Sequence, residues 1–210
     1  MSDTVLSLEH IKVDYGDFAA VEDVSLSVAE GSMVSIIGTN GSGKTTLLNA
    51  AAGLTAPSEG RIVLNGRDVT GMDAAKRVEE GLALVPQGGR CFGRMSVEDN
   101  LLAGSFSARA RKKAGQSLER VYGLFPSLKD KRKQPAGTLS GGERQMTAIG
   151  RALMSEPSIM LFDELSLGLA PLVIKDIYEG LRRLNEEEQV TIVLVEQDTR
   201  RAMRMTDRTY

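Results

Sequence analysis

Polar and apolar residues alternate in "VLSLEHIKV" and "VSLSV", the period of two that half-buried strands require. "VSIIG" is a short apolar run of the kind found in a fully buried strand. A helix is predicted from Gly43 to about Gly53. After the turn "PSEG", "RIVLNG" is a strand ending in an Asn-Gly turn. "MDAAKRVEEG" is a short helix with Gly81 as its stop, and "LALVPQ" is a strand closed by Pro86. From about Gly88 to Ser155 the strand-like runs give way to helical spacing. "SVEDNLLAG" opens with Ser96 as a cap, and Asp99 stands in for the glutamate of a capping box. "SARARKKAGQSLERVYGLF" is an exposed helix or pair of helices, and "KDKRKQPAG" is a solvated loop. Strand and helix then alternate again: "SIMLFDE", "PLVIKDIYEGLRRLNEEE", "VTIVLVEQ", "TRRAMRM".

This order predicts an α/β fold with a mostly parallel sheet, helices on its faces and a helical insertion. There is no internal repeat and no low-complexity linker. The expected division is one domain over 1–210: 1–87 and 156–210 form the β portion and nucleotide core, and 88–155 the helical part.

Composition narrows the class. Among 210 residues, 41% are apolar, enough for a buried core. Lys+Arg total 26 against 28 Asp+Glu, so the basic excess of a nucleic-acid binder is missing and no nucleic-acid partner is expected. The one cysteine, Cys91, permits no internal disulfide; it reads as a small packing residue in a reducing compartment. No apolar run approaches the roughly 20 residues of a membrane span. "MSDTVLSLEH" lacks the basic start and apolar stretch of a secretion signal, so a cytoplasmic protein is expected.

The chemistry begins at Gly38-Thr39-Asn40-Gly41-Ser42-Gly43-Lys44-Thr45, which fits G-x-x-x-x-G-K-[ST] between a predicted strand and a predicted helix. Glycines let backbone N–H groups close round phosphates, and a helix N-terminus favours negative charge. Lys44 would reach the β and γ phosphates, and the Thr45 hydroxyl would hold Mg²⁺. Asp163 and Glu164 end the apolar strand "IMLFDE", at the strand edge where α/β sheets bind ligands. Asp163 fits a Mg²⁺ ligand, and Glu164 could polarise a water. The plainer reading is an acidic strand end emerging into solvent. Ser140-Gly141-Gly142-Glu143 is a capping box that starts a helix. Its glycines leave N–H groups open to an anion. The chain already holds one phosphate loop, so this second site suggests a nucleotide bound mainly by another subunit. An ordinary capped helix is the alternative.

"LSGGERQ", Leu139 to Gln145, resembles the signature motif of the ATP-binding cassette (ABC) family, and the resemblance covers nearly the whole chain in the family's order. It implies a RecA-like phosphate-loop core, an N-terminal antiparallel β subdomain and an inserted helical subdomain, in a single ABC ATPase domain. Tyr15 matches the aromatic that stacks on adenine, Gly38 to Thr46 the phosphate loop, and Gln87 the residue that contacts Mg²⁺ and faces the membrane partner. Ser140, Gly141 and Gly142 match the signature. Asp163 matches the Mg²⁺ ligand, Glu164 the catalytic glutamate. Two such cassettes sandwich two ATP molecules head to tail, so the second glycine turn would serve the partner's ATP.

"VPQGGRCFGRMSVEDNLLAG" and "SLGLAP" are similar to one cassette of branched-chain amino-acid uptake transporters; urea and short-amide uptake cassettes fit Gln87 in "VPQG" equally well. The resemblance implies ATP hydrolysis driving uptake of a small polar solute, with ATP and Mg²⁺ bound. The implied partners are a second cassette (a paralogue or a copy of this chain), transmembrane permease subunits and, indirectly, a solute-binding protein outside the membrane. The chain would sit peripherally on the cytoplasmic face. Arg90 and Arg94 follow Gln87 and are either permease contacts or solvated charges.

Departures from the family are plain. Leu165 stands where Pro is usual, and Ala170 where many cassettes have Asp. Gln197 follows "TIVLV" where the family's switch histidine belongs. The uptake subgroup commonly carries "EQ" there, so Gln197 is taken as the replacement. The one histidine, His10, reads as a strand residue. Related cassettes continue past the last residues, "DRTY", into another strand and a turn. A soluble ABC ATPase of nucleic acid or ribosomes would need a second cassette, a coiled-coil insertion or basic extensions, which the sequence lacks. A regulator that scarcely hydrolyses ATP is disfavoured by the intact Glu164.

Overall fold

A computed structural model describes residues 4–210. Two sheets form, one antiparallel in the order β2-β1-β4-β5 and one parallel in the order β6-β7-β8-β3-β9. The parallel strands are β3 (Met33–Ile37), β6 (Leu82–Val85), β7 (Ile159–Asp163), β8 (Thr191–Glu196) and β9 (Arg208–Thr209). Every residue of β7 and β8 is buried. Their unbroken apolar sequence follows from helices covering both faces of a parallel sheet. The order β7-β8-β3 has a functional consequence. The end of β8 emerges between the acidic end of β7 and the loop that leaves β3.

The antiparallel sheet holds β1 (Thr4–Tyr15), β2 (Phe18–Ala29), β4 (Glu59–Leu64) and β5 (Arg67–Asp68). β1 and β2 are longer than the alternating runs predict. Register shifts between Leu8 and Ile11 and between Val13 and Asp14 interrupt the period of two and hide the strands' continuity. His10, in β1, sits at such an irregularity with φ 52, its ring Nδ1 2.7 Å from Asp23 Oδ1. The Asn65-Gly66 turn joins β4 to β5 with both residues at positive φ, as a tight hairpin requires.

Helix α1 (Lys44–Ala52) follows β3, and α2 (Ala74–Glu79) precedes β6. Between β6 and β7 run α3 (Val97–Leu102), α4 (Ala108–Leu124), α5 (Pro126–Asp130) and α6 (Gly141–Leu153). Serine hydroxyls cap three of these starts, Ser96, Ser107 and Ser140. The expected loop "KDKRKQPAG" is partly helical. Pro126, which suits a first helical position, starts α5, and a 3₁₀ turn spans Ala136–Thr138. Leu101, Val121, Phe125 and Leu128 of these helices share one buried cluster with Met160, Phe162 and Leu194 of the sheet. Helices α7 (Pro171–Glu188) and α8 (Thr199–Met205) flank β8. Arg208–Thr209 pairs in parallel with β3.

Candidate functional site

Residues 38–43 turn the chain from β3 into α1. Gly43, at φ 86, occupies the cap position of α1 with no side-chain cap. A Cβ there would stand 2.2 Å from the Ala20 carbonyl oxygen, so β2 and the loop pack at backbone distance. The first turn of α1 has no acidic residue, so the positive end of the helix is left open to an anion. The buried Lys44 ammonium donates to the carbonyls of Gly38 (2.8 Å) and Thr39 (2.7 Å). The loop thus folds round its own lysine. Tyr15, Phe18, Asn40, Gly41, Ser42, Thr46 and Glu164 line the cleft in front of it.

Phe18 escapes sequence reasoning. It lies opposite Tyr15 across the hairpin that Gly16 and Asp17 turn. Both rings are exposed, Tyr15 52% and Phe18 66%, and two exposed aromatics beside a phosphate cradle offer a base a stacking surface. The two-residue spacer between aromatics was the available signal.

The Thr45 hydroxyl donates to Asp163 Oδ1 at 3.0 Å, joining the loop to the end of β7. Burial pushes the Asp163 carboxyl above its ordinary value, and the neighbouring Glu164 charge adds to this, while Thr45, Lys44 and Arg90 oppose it. Gln87, which follows β6, lines a second cleft with Thr45, Arg90 and Asp163. Among the described residues no group of three or more His, Cys, Asp and Glu could hold a metal. One carboxylate, a hydroxyl and an amide oxygen nevertheless suit Mg²⁺, which keeps waters and is completed by substrate phosphates.

Glu164 is the centre of a second convergence. Gln87 Nε2 donates to its Oε2 at 2.9 Å, and Gln197 Nε2 donates to its Oε1 at 2.7 Å. Residues far apart in sequence therefore meet on one carboxylate, because their strands end side by side. Asp198, not Gln197, caps α8: its Oδ1 accepts from Arg201 N at 3.1 Å.

The start of α6 is elsewhere. Ser140 Oγ accepts from Glu143 N at 3.3 Å, and Ser140 N donates to Glu143 Oε2 at 2.9 Å, a complete capping box. Ser140 and Gly141 are exposed. Gly142 is buried against α7, where a Cβ would meet Val173 Cγ1 at 2.3 Å. Residues 138–143 do not line the cleft of Lys44.

The remaining expectations fall as follows. Cys91 is half-buried, its Sγ–H donating to the Arg144 carbonyl at 3.3 Å, and burial pushes its thiol up, as fits a packing residue. Arg90 and Arg94 are exposed. Leu165 is buried in the larger core cluster. Ala170 occupies the cap position of α7 without a side-chain cap.

A strand, a glycine loop round a lysine, a helix start and a carboxylate from the end of β7, two strands away, define a phosphate-loop nucleotide-binding ATPase. Residues 21–166 match the family described as ABC transporter. The high-affinity branched-chain amino acid transport ATP-binding protein BraG of Pseudomonas aeruginosa is 43% identical over 98% of this chain and 88% of that protein. A sulfate/thiosulfate import ATP-binding protein, CysA of Synechocystis, is 34% identical over 95% of this chain and 56% of its own length. A crystal structure of an ATP-binding cassette of an ABC transporter in its ADP conformation superposes with a TM-score of 0.87, at 30% identity, over 100% of this chain and 87% of that one. A dimeric cassette in a post-hydrolysis state with ADP and Pi superposes with a TM-score of 0.79, at 26% identity, over 97% and 92%. The chain belongs to the ABC transporter family, as one of its ATP-hydrolysing cassettes.

Proposed function

We propose that this chain powers an importer of a small polar solute, a branched-chain amino acid, by hydrolysing ATP at the cytoplasmic face of the membrane. The observation that carries the catalytic part is the Glu164 carboxylate held by Gln87 and Gln197 beside the Lys44 loop. For the solute, the support is the 43% identity to BraG across nearly all of both chains.

Glu164 is the general base: its carboxylate accepts the proton of the attacking water. Lys44 and the loop residues Gly38, Asn40, Gly41, Ser42 and Gly43 hold the phosphates, and Thr46 lines their cleft. Tyr15 and Phe18 stack on the base. Gln197 offers two donors and one acceptor, enough to orient both the water and the terminal phosphate. Thr45, Asp163 and Gln87 would hold Mg²⁺, which supplies charge neutralisation at the phosphates. Ser140, Gly141 and Gly142 contact the nucleotide of a second cassette. The dimeric relative supports such a pairing.

Among the described residues no helix is long and apolar enough to cross a membrane; the family match supports permease subunits as the pathway. Two adjoining clefts that share Leu84 and Pro86 present exposed Leu54, Phe92 and Phe106 beside Gln87 and Arg90. This is the surface we assign to the permease.

The test is Glu164→Gln. Turnover should fall at least about a hundredfold, the range of general-base catalysis, while ATP binding persists and an ATP-bound dimer accumulates. Wild-type hydrolysis by this variant would remove Glu164 from the mechanism. Co-purification with the permease and a solute-binding screen test the amino-acid assignment; selective binding of sulfate would replace it.

A further inference from the structure

We propose that Glu196 is a positioning residue, whose buried carboxylate, gripped by Ser166 and Tyr178, clamps the loop after β7 to the end of β8 and so sets the geometry of Glu164 and Gln197. The inference rests on the roles given to those two residues above.

Glu196 ends β8 and is 2% exposed. No Lys or Arg pairs with it among the described residues. A buried carboxylate without a counter-ion must be satisfied by hydrogen-bond donors. Two hydroxyls meet that need, from two different elements. Ser166 Oγ donates to Oε2 at 3.0 Å from the loop after β7. Tyr178 donates its phenol hydrogen to Oε1 from the middle of α7. Burial first, and Glu196 second, push the Tyr178 phenol far above its ordinary value, so it remains a donor at any working pH. The Arg201 guanidinium of α8 lies over the Tyr178 ring, 5.9 Å from its centre. Two segments, the loop after β7 and α7, therefore close on the carboxylate at the end of β8.

The neighbouring contacts make this a clamp. Glu164 N donates to the Val195 carbonyl at 3.0 Å. Ser166 reaches Glu196, and Gln197 reaches back to Glu164 at 2.7 Å. Three consecutive residues at the end of β8 thus hold residues 164 and 166. Leu165, between them, anchors the loop in the core. Glu164 itself sits at φ 46, a conformation uncommon for an L side chain. The clamp is placed to hold it there. None of Ser166, Tyr178 and Glu196 lines the cleft of Lys44, so the device acts on the position of the base and switch and not on the hold on ATP.

The test measures steady-state ATP hydrolysis by the full chain carrying Tyr178→Phe, Ser166→Ala or Ser166→Thr, with wild type and Glu164→Gln as references. Removing one donor to a charged acceptor should lower kcat about tenfold. KM for ATP should stay within about twofold, because uniform binding is untouched. Ser166→Thr keeps the hydroxyl and should restore most of the rate. In a Gln197→Ala background, Ser166→Ala should add little, since one of the groups it positions is gone. Unchanged kcat in both Tyr178→Phe and Ser166→Ala, whatever their melting temperatures, overturns the inference. If Tyr178→Phe does not fold, the Ser166 pair decides alone. Absence of hydrolysis in the wild type would overturn the functional reading, and this inference with it; an active wild type with indifferent variants overturns only the clamp.

Discussion

Helices α1 and α6 both begin at glycine-rich turns, yet their first turns are satisfied in opposite ways. α1 starts at Gly43 with no side-chain cap and no acidic residue in its first turn. α6 starts with a serine and a glutamate that satisfy each other's backbone, and Glu143 also pairs with Lys131. A helix start leaves its first N–H groups without intrahelical partners. At α1 no side chain caps them. At α6 the box uses the amide of Ser140 and that of Glu143, and the N–H groups of Gly141 and Gly142 take no part in it. The first start has no side-chain cap, and the second is capped from within. This difference suits a site assembled from two chains.

The hardest attempt to break that contrast is to disable each start in a different copy. Ser140→Arg should leave ATP binding intact but prevent closure of the dimer, abolishing turnover. Lys44→Ala should abolish nucleotide binding at its own loop. Mixing the two, where this chain pairs with itself, should recover hydrolysis above either variant alone, because one intact composite site re-forms. Mixed dimers that form without any recovery would mean that α6 does not serve a partner's nucleotide.

A smaller effect is expected at Gln197. Its amide is bonded to Glu164, so truncation removes a partner of the base as well as a donor toward the phosphate. Gln197→Ala should slow kcat roughly ten- to a hundredfold, the worth of a hydrogen bond to a charged group, with ATP affinity nearly unchanged. Glutamine does not titrate, so the wild-type rate should lack a step near about pH 6.5, and Gln197→His should introduce one. An unchanged kcat in the alanine variant would sink the role.

What was legible in the sequence was what short spacing encodes. The loop at Gly38 to Thr45, the Asp163-Glu164 strand end and the Ser140 box each lie within a few consecutive residues, and the structure forms the turn, strand end and cap they predict. Gln87 and Gln197 came from family resemblance alone. Their meeting on Glu164 depends on the order of β6, β7 and β8, which no local pattern states. The lengths of β1 and β2 were hidden by bulges that break alternation, and with them the place of Phe18. In the sequence Glu196 is simply the polar end of the apolar run "VTIVLVEQ". Its burial follows from α7 and the post-β7 loop closing over it, a packing event among three separate segments.

The finest test of the contrast uses pH. Glu143 can be changed without losing the cap, because glutamine also accepts from the Ser140 amide. Glu143→Gln therefore removes the charge toward Lys131 and leaves the box. The Lys131 ammonium, followed by the Ser140 hydrogen bonds, holds the Glu143 carboxyl below its ordinary value of 4.5, while burial opposes them. A carboxyl depressed in the folded state contributes stability that is present above its unfolded pKa and is lost as pH falls through the folded value. Wild type should thus exceed Glu143→Gln by about 0.2–1 kcal/mol near neutral pH, the range of a partly exposed ion pair. The gap should narrow below about pH 4.5 and shrink in high salt. Urea unfolding of both proteins at several pH values measures it. Unfolding should be followed without nucleotide, since ATP stabilises the α1 side by mass action and would mask a difference this small. A gap that persists unchanged at pH well below the folded value would show that the charge at the start of α6 is not what holds it.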